Sequence, residues 1–334
     1  MNKWRKSFLI IWILFGFFIV GSTAYGYFLL QKPDNRSQSL RSPIQQEEQV
    51  EKKQESKNAK ASFNPLLIQP VHAEEFAEAQ LHYEDIVNQW GIGAVYIPSS
   101  SIQTKILAGM SNENLMVGVG TYRAEQRLGK GNYVLLAHNL VRGGGALKNL
   151  RQTSEGSLIY ATDFANVYEY RVTKNQVVSQ SEGELLDEPK EEEMPIITFI
   201  RCEGGLNTTQ RAVVQGVFIS SYPASEADNE IKEKLGLDSV VQDQEQVDNT
   251  IVPNSTDTVS DYDTISEKHE STNQLVKKDN KTSVSKEEKE VYSSFERYCI
   301  WLVKECNDMY VLITASVVYL LVLFGTFQWK IRVE

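Results

Sequence analysis

Positive charge is in short supply in this sequence. Lysine and arginine number 34 against 44 acidic residues, for a net charge of -10. With no cationic excess to neutralise phosphates, a general nucleic-acid binder is excluded. Cysteine is scarce as well: Cys202, Cys299 and Cys306 complete the inventory, which excludes a disulfide framework. Cys299 and Cys306 would lie roughly 10.5 Å apart along one helix, beyond disulfide reach. Cys202 thus has no evident partner. Histidine occupies four positions, and neither H-x-x-x-H nor C-x-x-C occurs. No metal site is therefore expected, and no cofactor. His72, His82 and His269 stand isolated. The acidic run Glu191-Glu192-Glu193 reads as a solvated loop, with calcium binding as the alternative.

Long apolar runs are present at both ends. Phe8 to Leu30 is 23 residues without a charge, roughly 34 Å as a helix and enough to cross a bilayer. Lys3, Arg5 and Lys6 precede it and place the N-terminus in the cytoplasm. A cleaved signal peptide is the alternative, given the small residues Ser22, Thr23, Ala24 and Gly26. Met309 to Trp329 is a second charge-free run of 21 residues, roughly 31 Å of helix. Lys330 and Arg332 follow it and again put the basic end inside. The expected arrangement is a plasma-membrane protein with both termini cytoplasmic and the intervening chain outside.

Between the spans, composition divides the chain. Residues 1–30 hold the cytoplasmic tip and first span. Residues 31–73 begin as a polar stretch and read as a stalk. Residues 74–236 read as the folded domain, opening with a short helix over Glu74–Gln89. Strands are expected near Ala94–Ile97, Thr104–Leu107, Tyr133–His138, Leu158–Thr162, Val167–Val172, Ile196–Cys202 and Ala212–Ile219, and a helix over Ser225–Leu235. Many short strands with glycine-rich breaks indicate a mainly β fold closed into a barrel. Residues 237–290 are low in complexity and read as a disordered polar tether. Residues 291–308 show helical spacing suited to a membrane interface. Residues 309–329 form the second span and 330–334 a cytoplasmic tail.

Three residues at strand ends offer chemistry. Cys202 ends the run Ile196-Ile197-Thr198-Phe199-Ile200, with Gly204-Gly205 close behind. His138 ends Tyr133-Val134-Leu135-Leu136-Ala137, and Arg211 opens Ala212-Val213-Val214. Taken singly, a lone cysteine is usually a small core residue, a lone histidine is packed and a lone arginine is solvated. Together they suit thiol chemistry if the fold brings them to one mouth of a barrel. A thiol with pKa near 8.5 is only about 3% ionised at neutral pH, so a neighbouring imidazole would matter.

Residues 91 to about 221 resemble the sortase family, most closely its class A group. Asn132-Tyr133-Val134-Leu135-Leu136-Ala137-His138-Asn139 resembles the segment holding the family's histidine. Ile197-Thr198-Phe199-Ile200-Arg201-Cys202 is similar to its T-L-x-T-C strand, and Gln210-Arg211-Ala212-Val213-Val214-Gln215-Gly216 to the strand that starts with its arginine. Ser111-Asn112-Glu113-Asn114-Leu115 and Gly118-Val119-Gly120-Thr121 add to the likeness. Phe199 replaces the family's leucine, and Arg201 replaces the threonine beside the cysteine. The resemblance implies an eight-stranded barrel and a Gram-positive cell surface. It implies cleavage of an LPxTG-like signal between Thr and Gly by Cys202, followed by transfer to a cell-wall amine. His138 would be the acid and base, and Arg211 would stabilise the oxyanion. Ala137, Thr198, Ile200 and Arg201 would bind substrate, with Arg201 reaching the cleft through its long side chain. The partners implied are LPxTG-type surface proteins, a peptidoglycan-precursor amine and membrane lipid.

Three other readings remain. The second span is reminiscent of pilin-polymerising sortases that use a lysine amine, although no Asp-Pro-aromatic lid motif lies between Gln31 and Trp90. A non-catalytic module that binds LPxTG proteins would not need Cys202 to be reactive. A plain cysteine protease would release hydrolysed peptide even when amine is abundant. The two-span topology predicts that protease added to intact protoplasts leaves a C-terminal tag uncut. Loss of the tag from sealed protoplasts would refute it.

Overall fold

The computed structural model describes residues 3–31, 40–139, 144–190, 192–204, 208–238 and 292–307, together with 313, 314, 317–319, 321 and 322. The first apolar run forms helix α1, Lys3–Gln31. Its stretch Lys6–Gln31 is the one helix among the described residues long and apolar enough to cross a membrane. The second apolar run, 309–329, lies largely outside the described residues, as does the expected tether from residue 239 onward.

Eight strands close into a barrel in the order β1-β2-β3-β4-β7-β8-β6-β5. They are β1 (Gly91–Ile97), β2 (Ile102–Leu107), β3 (Val119–Thr121), β4 (Asn132–Ala137), β5 (Leu158–Thr162), β6 (Asn166–Ser179), β7 (Ile196–Glu203) and β8 (Gln210–Pro223). Antiparallel pairing of β1 with β5 completes the ring. Alternate residues point inward, so Val95, Ile106, Leu135, Ile159, Phe199 and Val214 meet in one buried core. Of the eight strands, β3 was not expected: three residues carry too little periodicity to be seen. β6 and β8 run beyond their apolar stretches because they pair with each other from Asn166–Pro223 to Ser179–Gln210.

β4 and β7 run parallel, from Asn132 opposite Ile196 to Ala137 opposite Arg201. A buried polar lock fixes that register. Thr198 Oγ1 donates to Asn132 Oδ1 at 2.7 Å, and Gln215 Nε2 of β8 donates to Thr198 Oγ1 at 3.1 Å. Asn132 Nδ2 donates in turn to the carbonyls of Leu185 and Asp187, at 3.0 and 2.9 Å. The turn before β7 is thereby pinned over the outer face of these strands.

The stalk expected over 31–73 is corrected by helix α2, Glu47–Asn58. Its spaced residues Val50, Gln54 and Asn58 are buried. Asn58 Nδ2 donates to the Ala124 carbonyl at 2.7 Å, and Lys57 Nζ donates to the Asn88 and Gly91 carbonyls at 3.0 and 2.7 Å. Polar anchors hold this helix, so its low apolar content concealed it. The helix expected over 74–89 is two, α3 (Ala73–Leu81) and α4 (Tyr83–Trp90). A short helix α5 (Asn112–Val117) precedes β3, and α6 (Asn229–Leu235) follows β8.

The helix expected within 291–308 is α7, Ser294–Asn307. Its Ile300 and Val303 pack with Leu29 and Leu30 of α1 and with Phe76 and Ala77 of α3. Lys304 Nζ pairs with Glu78 of α3 at 2.7 Å. The buried face of α7 is thus turned to protein. Gly26 of α1 permits the close crossing: a Cβ there would stand 2.2 Å from the Cys299 carbonyl oxygen.

The polar lock predicts a stability effect. Thr198 is fully buried. Thr198→Val keeps the shape but strands the Asn132 oxygen and the Gln215 amide, at roughly 1–3 kcal/mol for each buried group. Denaturant titration should show a loss of about 2–6 kcal/mol. An unchanged midpoint would mean that the lock does not hold the register.

Candidate active site

The register of three adjacent strands assembles the site. On β7 and β8, Cys202 lies directly opposite Arg211. On β4 and β7, Ala137 lies opposite Arg201, so His138 stands one step further, level with Cys202. Ala137, Phe199 and Ala212 face the core. Side chains alternate along a strand, so His138, Cys202 and Arg211 share the outer face. Adjacent strands lie about 4.8 Å apart, and the three residues therefore form a compact row across β4, β7 and β8. Among the described residues, no hydrogen bond joins one of these three side chains to another.

Each is held differently. The Cys202 thiol is free and partly exposed. The Arg211 guanidinium donates through Nη1 to the carbonyls of Thr208 and Gln210, at 2.8 and 2.9 Å, and through Nη2 to Gln180 Oε1 at 2.8 Å. His138 is buried, and its backbone N–H donates to the Leu115 carbonyl of α5 at 2.9 Å. Its ring Nε2 lies 3.1 Å from Asn112 Oδ1. Gly145 closes over it with φ +90, and a Cβ at that position would stand 2.4 Å from the His138 carbonyl oxygen. Only glycine fits there without displacement.

The four residues expected to bind substrate divide by strand face. Ile200 lies on the same face as Cys202 and is partly exposed. Thr198 shares that face but is fully buried and engaged in the lock with Asn132 and Gln215. Ala137 is packed in the barrel core. Arg201 requires a correction. It does not reach along the outer cleft, because it falls on the inner face between Ala137 and Ala212 and is only 7% exposed. Its Nη1 donates to the Cys202 carbonyl at 2.8 Å, and its Nη2 pairs with Glu203 at 2.9 Å. Two flanking alanines leave room for the long side chain at the end of the core. The contacts of Asn112, Gln180 and Glu203 were not foreseen. Asn112 sits in a segment already noted for its family likeness, whereas Gln180 reaches Arg211 from the far end of β6 and carries no local signal.

Burial lowers the His138 imidazole from its ordinary 6.5 to about 4. The resting ring is therefore neutral at physiological pH. A neutral imidazole beside a thiol can take the thiol proton as sulfur attacks and return it to a leaving group. A guanidinium opposite the sulfur can stabilise negative charge on a carbonyl oxygen.

The sortase-domain family model matches residues 95–218. The Bacillus subtilis (strain 168) protein named "Putative sortase YwpE" is 32% identical over 100 residues, covering 30% of this chain and 95% of that protein. This chain belongs to the sortase family. Sortase A of Bacillus anthracis is 29% identical over 224 residues, 66% of this chain and 98% of its own length. Sortase A of Listeria monocytogenes is 32% identical over 125 residues, 37% of this chain, and the match spans 55% of the Listeria protein. The solved structure of Listeria monocytogenes sortase A aligns with a TM-score of 0.40 at 29% identity, covering 44% of this chain and 97% of that one. Sortases are cysteine transpeptidases, so membership places this chain in that general enzyme class. Among the described residues, no cluster of three or more His, Cys, Asp or Glu could hold a metal ion. Glu191 of the acidic run lies outside the described residues, and Glu193 accepts the Lys190 N–H at 3.2 Å.

The buried imidazole of this sortase makes its stability depend on pH. Between pH 6.5 and about 4 the unfolded chain carries the His138 proton and the folded chain does not. Stability therefore falls as the pH drops through that window, by roughly 3 kcal/mol at full extent. His138→Gln should flatten this part of the profile in denaturant titrations at stepped pH. Equal slopes for the two proteins would show that His138 is not the group responsible.

Proposed function

We propose that this chain is a membrane-anchored, class A-like sortase that cleaves an LPxTG-like signal between Thr and Gly and transfers the acyl group to a cell-wall amine. The observation that carries the reading is the row of His138, Cys202 and Arg211 on one outer face. α1 anchors the enzyme, the barrel faces outward and both termini lie in the cytoplasm. The substrates are LPxTG-type surface proteins, the acceptor is a peptidoglycan-precursor amine, and lipid surrounds the anchor.

The chemistry follows from the residues. The Cys202 sulfur attacks the threonine carbonyl carbon while its proton passes to His138. Arg211 swings from Gln180 toward the developing oxyanion and neutralises it. The C–N bond to glycine breaks, His138 gives its proton to the departing amine, and a thioacyl enzyme remains. An incoming amine then attacks the thioester, its proton passes to His138 and the thiol is regenerated. Water in place of the amine gives slow hydrolysis. Arg201 acts from the inner face by holding the Cys202 carbonyl and so steadies the end of β7.

A second reading, with a pilin lysine as acceptor, rests on the second charge-free run, Met309 to Trp329. Both readings are tested by incubating the full-length protein with an LPxTG-type peptide library and oligoglycine, alanyl or lysine amines, with products identified by mass spectrometry. A C–N ligated product with oligoglycine or alanyl amines is expected, and preference for the lysine amine would favour the second reading. Cys202→Ala should form no acyl-enzyme. Arg211→Ala should lower kcat/KM for every peptide by roughly 100-fold or more, the usual effect of losing an oxyanion donor. Hydrolysis alone in the presence of every amine would overturn transpeptidation.

A further inference from the structure

We propose that Asn112 is a positioning residue that holds the His138 ring in its Nε2–H form. The inference rests on the reading of His138 as the group that moves protons. The backbone N–H of Gln69 donates to Asn112 Oδ1 at 3.0 Å. A backbone N–H can only donate, so the Asn112 atom facing it must be the carboxamide oxygen. The same oxygen lies 3.1 Å from His138 Nε2. A carboxamide oxygen can only accept, so Nε2 must carry a hydrogen. In a neutral imidazole one nitrogen donates and the other accepts. Nδ1 is therefore the bare nitrogen, available to receive a proton.

The scaffold around this contact is firm. Asn112 opens α5, and Ser111 caps that helix by accepting the Asn114 N–H on its Oγ at 3.3 Å. The carbonyl of Leu115, from the same helix, accepts the His138 backbone N–H. One short helix thus fixes both the backbone and the ring of His138. On its other side, the Asn112 oxygen is aligned by the segment that leads into α3, which also receives the Met110 N–H at the Ser62 carbonyl, at 2.8 Å. A ring free to adopt either tautomer would leave Nδ1 protonated, and unable to accept, for part of the time. Asn112 removes that state, so its contribution belongs to turnover rather than to substrate binding.

The test uses full-length protein in detergent micelles with 15N-labelled histidine. The His138 signals are identified by their loss in His138→Ala. Wild-type protein should show the Nε2–H tautomer. Asn112→Leu removes the acceptor at similar size, and should give mixed tautomers and a kcat lowered roughly tenfold, the factor of one ordinary hydrogen bond, with KM unchanged. Asn112→Asp keeps an acceptor oxygen and should restore both the tautomer and the rate. An Nδ1–H tautomer in the wild type would overturn the proposal. So would a wild-type tautomer and rate in Asn112→Leu while His138→Ala is inactive, and that result would leave the functional reading standing. Wild-type transfer by His138→Ala would overturn both.

Discussion

Parallel strands cannot be joined by a tight turn, so β4 and β7 meet only after the chain has built β5, β6 and their loops between them. That late, long-range pairing is the constraint on which the site depends. It sets His138 level with Cys202, and β8 then folds back antiparallel to bring Arg211 opposite the sulfur. A slip of one residue would send every side chain of β7 to the other face. Thr198, Asn132 and Gln215 resist such a slip because their hydrogen bonds are satisfied in one register only, in a place water does not reach.

The two-residue repeat of β7 separates tasks between faces. Phe199 and Arg201 turn inward, and Ile200 and Cys202 turn outward. The charge of the buried Arg201 guanidinium is offset by Glu203, and its Nη1 is satisfied by the Cys202 carbonyl, while its Nε–H is left without a partner among the described residues. Burial still works against its charge, while Glu203 favours it. The substitution of arginine for the family's threonine therefore alters the inner support of the nucleophile and not the outer surface beside it.

Much of the barrel was legible because its strands carry apolar runs with turn residues between them. Strand-end placement of Cys202, His138 and Arg211 could also be read, since each borders such a run. The opposite directions of Arg201 and Cys202 follow from strand alternation alone. What Arg201 would touch did not follow, because Ala137 and Ala212 make room for it from two other strands. Helix α2 escaped notice because its docking relies on Asn58 and Lys57 reaching backbone carbonyls, contacts with no apolar pattern. The link from Asn112 to His138 joins residues 26 apart in sequence, and only the packing of α5 against the end of β4 discloses it.

Closure of the sheet has a further bearing on selectivity. A protein with an open sheet edge displays unpaired N–H and C=O groups that accept nearly any extended chain. Here β1 and β5 seal the ring. An extended peptide arriving at that seam finds no free strand edge there. Discrimination must then come from side chains on the barrel wall, where an individual residue of the visitor is recognised or refused. A closed wall thus guards this enzyme against indiscriminate adhesion of unfolded or extended polypeptides.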